Sequence, residues 1–128
     1  MRQLVTLLLI VLLQQISFSQ TFTGGGGAIP DNGNSIEFPI SLSALSLALL
    51  DTNFGVETVC INLNHTYDSD LDIWLVCPDS TRIELTTGNG GSGANYTNTC
   101  FNDSVFTFIN AGNAPFTGNF IPESRLYH

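Results

Sequence analysis

Three aspartates spaced two residues apart are the side chains of this sequence best suited to chemistry. Asp68, Asp70 and Asp72 form a D-x-D-x-D series, and hard cations such as calcium prefer carboxylate oxygens. The series does not continue as an EF-hand, because Ile73 stands where the sharp turn of that loop requires glycine. On a strand, the side chains of Asp70 and Asp72 point the same way, about 7 Å apart. The spacing therefore leaves two alternatives, a calcium site at the entry of a strand and a solvated acidic edge.

Nucleophilic catalysis is not supported by the remaining polar residues. His65 is the histidine inside the expected domain, and no serine has the flanking residues of a nucleophile elbow. We interpret His65 as a structural residue at the end of a strand, with Thr66, Asp68 and Asp70 as candidate hydrogen-bond partners. We therefore expect no catalytic site in this chain.

The glycine run Gly88–Gly93 matches the pattern GxGxxG and follows a predicted strand. A dinucleotide-binding fingerprint also requires a helix that begins at the last glycine, and residues 94–98 do not have a helical pattern. The run is therefore predicted to be a loop.

Charge excludes several classes of partner. The chain has three arginines, no lysine and eleven acidic residues, which gives a formal net charge of −8. No basic patch is available to neutralise nucleic-acid phosphates or anionic lipid headgroups. The absence of lysine also excludes Walker-type phosphate loops and Schiff-base chemistry.

The N-terminus has the layout of a secretory signal peptide. A short basic start precedes the ten-residue run Leu4–Leu13, which is apolar except for Thr6, and a small-x-small pattern ends at Ser19. Ten residues are too few to cross a bilayer, which needs roughly 20, and no later segment is long enough. We predict a signal peptide over 1–19, a flexible glycine-rich leader over 20–28, and a secreted or cell-surface location.

The chain has three cysteines, Cys60, Cys77 and Cys100, so at most one internal disulfide forms and one thiol is left over. Their spacing fits no zinc motif. Cys77 lies in an apolar run and is interpreted as a small buried core residue.

Alternating apolar residues and turn signals predict an all-β fold. Pro39 places the first strand, 35–42, at a sheet edge, whereas the strand 71–76 is apolar on both faces and is expected to be central. It forms a hairpin with the strand 82–85. Two further strands are predicted over 56–65 and 105–109, and residues 45–50 are either a short helix or a packed loop. Short strands of this kind are typical of a β-sandwich or jelly roll.

The order of motifs between Val59 and Leu85 resembles that of the P/Homo B domain of kexin- and furin-like subtilisin proprotein convertases. The family pattern is a strand followed by His-Thr, Asp-Leu, a second strand, a Pro-Asp-Gly turn and a third strand. The matching residues here are His65, Thr66, Asp70, Leu71, Pro78 and Asp79. The similarity extends over about 22–123, and Ser80 replaces the usual glycine of the turn.

The resemblance implies a jelly-roll-like β-sandwich over 29–128, without the closing C-terminal strands of the family. It also implies a disulfide between Cys60 and Cys100, which occurs at similar positions in secreted bacterial relatives. The family belongs to the serine-type endopeptidases, and in it this domain is non-catalytic and stabilises or regulates a protease domain. We expect no protease domain within these 128 residues.

The alternative function is that of an adhesion, binding or spacer module in an exported multidomain surface protein. It is favoured because the signal peptide leads almost directly into the domain. The expected partners are a protease or other domains of a larger exported protein, with a glycan or protein ligand as the alternative. Calcium is the candidate cofactor.

Overall fold

A computed structural model of the chain describes residues 19–44 and 55–126. Contacts within the chain group into two units, Met1–Leu45 and Ser46–His128. The predictions for 1–18 and for 45–50 lie outside the described residues.

In the first unit, the strand predicted over 35–42 is wrong. Residues 19–44 contain no helix or strand, and the alternating apolar side chains from Ile36 to Leu42 are 39–52 % exposed. Pro39 has no N–H for a ladder. The glycine-rich leader passes close to this segment, since a Cβ on Gly24 would lie 2.7 Å from Ile40 Cγ1. Its glycines have no side chains that could cover the apolar residues.

The second unit contains five short strands in two sheets. They are β1 (Val59–Leu63), β2 (Asp72–Val76), β3 (Arg82–Thr87), β4 (Tyr96–Phe101) and β5 (Gly118–Phe120). One sheet has the order β1-β4-β5 and the other pairs β2 with β3. Within the described residues, helical structure is limited to two 3₁₀ turns, Asp68–Asp70 and Ile109–Ala111. The all-β fold class is therefore confirmed.

The three-stranded sheet is mixed, with β4 in the middle. β1 pairs with β4 antiparallel, and β5 pairs with β4 parallel. Cys60 and Cys100 are direct cross-strand partners, and their sulfurs form a disulfide of 2.08 Å. The alternation predicted for β1 is confirmed, because Val59, Ile61 and Leu63 are partly buried and the residues between them are exposed.

The hairpin of β2 and β3 is also confirmed. The Cys77 carbonyl accepts the Ser80 N–H at 2.9 Å, and the Cys77 N–H donates to the Thr81 carbonyl at 2.8 Å. Pro78 occupies the second position of this turn, where its fixed φ is favourable. Ser80 follows in the left-handed region at φ 70°, the conformation that favours glycine.

Two strand predictions in this unit are wrong. In the described part of the chain β2 pairs with β3 alone, so it is not central, and Trp74 and Val76 are more than 40 % exposed. The segment 105–109 is not a strand either. It makes a single bridge from Phe108 to Ile121, and Phe106 is 97 % exposed.

An aromatic cluster fills the centre of the second unit. The rings of Tyr96 and Phe116 are stacked with centroids 4.7 Å apart, and Phe120 meets Phe116 edge to face at 6.1 Å. The buried Thr99 hydroxyl donates to the Phe116 carbonyl, so this polar group is satisfied inside the core. The cluster fixes the segment before β5 against β4.

Candidate functional site

Asp68 is a buried acidic side chain between the His65-Thr66 and Asp70-Leu71 pairs of the sequence motif. It begins the 3₁₀ turn between β1 and β2 and is 0 % exposed. Its Oδ1 accepts the Asn95 N–H at 2.8 Å, and its own N–H donates to the Gly93 carbonyl at 2.9 Å. Oδ2 is enclosed and accepts no hydrogen bond from the described residues. Asp68 thus joins the β1–β2 connection to the loop before β4.

The glycine run is a loop, as predicted, and it wraps around Asp68. Gly90 has φ +92°, and a Cβ there would lie 2.8 Å from both Asp68 Cβ and Phe116 Cε2. The Gly91 carbonyl accepts the Ser69 N–H at 3.3 Å. Glycine is needed at position 90 because no side chain fits between the buried carboxyl and the aromatic ring.

His65 has a structural role through its backbone and ring. Its N–H donates to Asn95 Oδ1 at 3.1 Å, and its carbonyl accepts the Asn95 N–H at 3.2 Å. Its Nδ1 lies 2.9 Å from the Tyr67 carbonyl. The hydrogen-bond partner of the ring is therefore the Tyr67 backbone, in place of the side chains expected from the sequence.

The electrostatics of the site follow from burial. Burial raises the pKa of Asp68 above its ordinary value of 3.8, against the lowering effects of the Asn95 N–H and the charge of His65. Burial also raises the pKa of Tyr96, and the negative charges of Asp68 and Glu123 add to that effect. The site therefore disfavours negative charge on its own acidic groups.

The three aspartates of the predicted calcium site have different surroundings. Asp68 is enclosed, whereas Asp70 and Asp72 are exposed. Across residues 19–44 and 55–126, no group of three or more His, Cys, Asp or Glu side chains is arranged to hold a metal ion. The three carboxylates therefore do not fit one shared metal site, and calcium binding stays a prediction for Asp70 and Asp72.

The remaining motif residues lie at the hairpin and beside Asp68. Leu71 is buried directly after the 3₁₀ turn, and Thr66 is exposed. Pro78 and Asp79 form the exposed hairpin tip, where Asp79 Oδ1 accepts the Thr81 N–H at 2.9 Å. Bonds from Thr81 lower the pKa of Asp79.

Cys77, at the base of the hairpin turn, is a free thiol and is half-buried, so the expectation of a fully buried core residue is wrong. Burial and the charge of Asp79 raise its pKa. This disfavours the reactive thiolate form.

Sequence reasoning missed Asn95, which bonds both Asp68 and His65 from a backbone at φ 75°. It also missed Phe116, which closes the other side of Gly90. Both residues are distant in sequence from the motif. An available signal was that asparagine tolerates the left-handed conformation better than most residues do.

No family model matches the chain, and the search of solved structures returned no significant match. Neither helix in the described part of the chain has the length and apolar character needed to cross a membrane. The arrangement around Asp68 holds the β1–β2 connection and the loop before β4 together.

Proposed function

We propose that this chain is a non-catalytic domain of the P/Homo B type, with a jelly-roll-like β-sandwich fold, which stabilises or regulates a secreted subtilisin-like serine endopeptidase. The disulfide and the all-β fold are compatible with a secreted domain of this kind.

The observation that carries the proposal is the turn of the β2–β3 hairpin. Ser80 adopts φ 70° at the position where the family pattern has glycine. A type I turn followed by a left-handed residue explains why glycine is preferred there. Asp70 and Leu71 of the same pattern lie before the turn, in a segment that Asp68 joins to the loop before β4.

The proposal is tested on the protein secreted by its natural host. An antibody against this chain captures it, and a fluorophosphonate probe labels activated serines in the captured material. We expect a labelled subtilisin-type serine in the same polypeptide or in a tightly bound partner, and no label on residues 20–128. Captured material without any labelled serine contradicts the proposal.

The second candidate is an adhesion or binding module, and an exposed aromatic surface favours it. Phe106 is 97 % exposed and Phe108 is 49 % exposed in the connection after β4. Aromatic side chains are enriched at surfaces that bind other proteins, relative to the rest of a protein surface. Binding of the chain to a glycan array, lost on Phe106→Ser with no change in melting temperature, supports this candidate. A negative array and a labelled protease together reject it.

A further inference from the structure

We propose that β2 is a self-association edge, through which a second copy of this chain adds its own β2 antiparallel, related by a two-fold axis at Trp74. The proposal is independent of the protease association. It rests on the open backbone, the apolar outer face and the charge distribution of the β2–β3 sheet.

The backbone of β2 offers hydrogen bonds on one side. Leu71 and Cys77, which flank β2, direct their backbone groups towards β3. The Leu71 carbonyl accepts the Gly88 N–H, and the Cys77 N–H donates to the Thr81 carbonyl. Successive residues of a strand direct these groups to alternate sides. Asp72, Trp74 and Val76 therefore direct theirs to the opposite edge, where no strand of the described residues pairs with them.

The same three residues form the outer row of side chains on β2. Trp74 is 41 % exposed and Val76 is 44 % exposed, whereas Ile73 and Leu75 on the other face are partly buried. An apolar strand with an unpaired edge is a template for pairing with another chain. The edge is therefore apolar as well as open.

A second copy of β2 fits this edge in one register better than in its neighbours. With the axis at Trp74, Asp72 lies opposite Val76 of the second copy, and Trp74 lies opposite its own equivalent. Each outward-directed backbone N–H of one copy then lies opposite an outward-directed carbonyl of the other, which gives about six hydrogen bonds. A shift of the register by two residues leaves one end of each strand without a partner.

Charge favours the antiparallel copy over a parallel one. Val76 pairs with Arg82 and Trp74 pairs with Glu84 on β3, so the outer face carries Arg82 at one end, Glu84 in the middle and Asp72 at the other end. Glu84 lies level with Trp74 and therefore does not distinguish the two ends. Antiparallel pairing brings Asp72 of one copy to the end that holds Arg82 of the second, about 10 Å apart at the Cα atoms across Val76. The flexible arginine side chain covers that distance over an apolar neighbour. A parallel copy on the same edge would be turned about the strand axis, so the outer rows of the two copies would lie on opposite faces of the joined sheet and Asp72 would not meet Arg82.

The test is sedimentation of the full exported chain in a Cys77→Ser background, which excludes dimers linked through that thiol. We expect a concentration-dependent dimer. Asp72→Arg and Arg82→Asp should each weaken dimerisation about tenfold or more, because two symmetric contacts become repulsive. The double variant Asp72→Arg with Arg82→Asp restores the opposite charges and should restore the dimer.

Three further variants serve as controls for this experiment. Phe106→Ser removes a more exposed apolar side chain that lies away from β2, and it should leave the dimer unchanged. Trp74→Cys should give a covalent dimer on oxidation, since paired residues at the axis lie within disulfide distance, whereas Val76→Cys should not. A monomer at all concentrations, a dimer that the charge variants do not change, or efficient cross-linking through Val76→Cys would each overturn the proposal.

Discussion

Asp68 carries a buried carboxyl whose negative charge the fold disfavours. Because burial raises its folded-state pKa above 3.8, its contribution to stability is complete below the unfolded pKa. That contribution is lost as the pH rises through the folded pKa. Asp68→Asn keeps an oxygen for the Asn95 N–H and removes the titration. We therefore expect the stability of Asp68→Asn relative to the natural chain to rise with pH and then to level off.

The measurement is urea unfolding of both proteins from below pH 3.8 to neutral pH. His65, Tyr96 and Glu123 also act on this region and are present in both proteins, so the difference isolates Asp68. Asp68→Ala, which removes the acceptor as well as the titration, should be about 1–3 kcal/mol less stable than Asp68→Asn at every pH. A stability difference between Asp68→Asn and the natural chain that does not change with pH would contradict the role of burial.

Gly90 and Gly91 form a matched pair for testing the glycine loop. Both have positive φ, but a Cβ on Gly90 meets Asp68 and Phe116, whereas a Cβ on Gly91 has no atom within 4 Å. Gly90→Ala should cost about 2–4 kcal/mol through strain and overpacking. Gly91→Ala should cost about 1 kcal/mol through its backbone conformation alone. Equal losses in thermal unfolding would show that the loop does not pack on Asp68 as described.

At the scale of the elements, the turn of the β2–β3 hairpin holds a serine in a backbone conformation that favours glycine. Ser80 has φ 70°, a conformation that costs a non-glycine residue about 1–2 kcal/mol. Replacing it with glycine removes this cost, but the unfolded chain gains conformational freedom, which offsets part of the gain. Ser80→Gly should therefore stabilise the chain by about 0.5–1 kcal/mol. Ser80→Ala is the control and should change the melting temperature little. A loss of stability on Ser80→Gly would show that the serine side chain is needed at the turn.

Local patterns predicted the hairpin and β1 because their information lies within a few residues. Pro78 and Asp79 specify a turn, and alternation from Val59 to Leu63 specifies one buried face. The disulfide partner of Cys60 was predicted by resemblance to a family, because three cysteines allow more than one pairing.

The predictions that failed depend on contacts between segments that are distant in the sequence. The alternation from Ile36 to Leu42 is that of a strand, yet no ladder forms there. β2 is apolar on both faces but pairs with one strand in the described part of the chain. The contact between Asp68 and Asn95 joins residues 27 apart, and the tendency of asparagine to adopt the left-handed conformation does not indicate which residue it contacts.

For the whole molecule, the net charge of −8 makes cation binding favourable without locating it. The exposed Asp70 and Asp72 are the remaining candidates. We expect weak calcium binding, with a dissociation constant on the order of 10⁻⁴–10⁻³ M. The double variant Asp70→Asn with Asp72→Asn should abolish it, and Asp68→Asn should leave it unchanged. Calorimetric titration of the natural chain with no heat and no rise in melting temperature would contradict the prediction.

The pairing of Cys60 with Cys100 has a consequence for how the chain oxidises. In the reduced, unfolded chain Cys60 is 40 residues from Cys100 but only 17 from Cys77. Loop-closure entropy favours the shorter ring by about threefold to fourfold. The Cys60–Cys77 bridge closes the shortest of the three possible rings and should therefore form before the native one. The Cys100 thiolate must then attack the Cys60 sulfur and release Cys77 as a thiolate.

Mass spectrometry of trapped intermediates during oxidative refolding should detect the Cys60–Cys77 bridge before the native one. The Cys77→Ser variant cannot form this intermediate, and it should therefore form the native bridge sooner than the natural chain. A native bridge that forms first in the natural chain would indicate that β1 and β4 pair before oxidation. The unpaired cysteine thus influences the path to the native state, although it takes no part in the final disulfide.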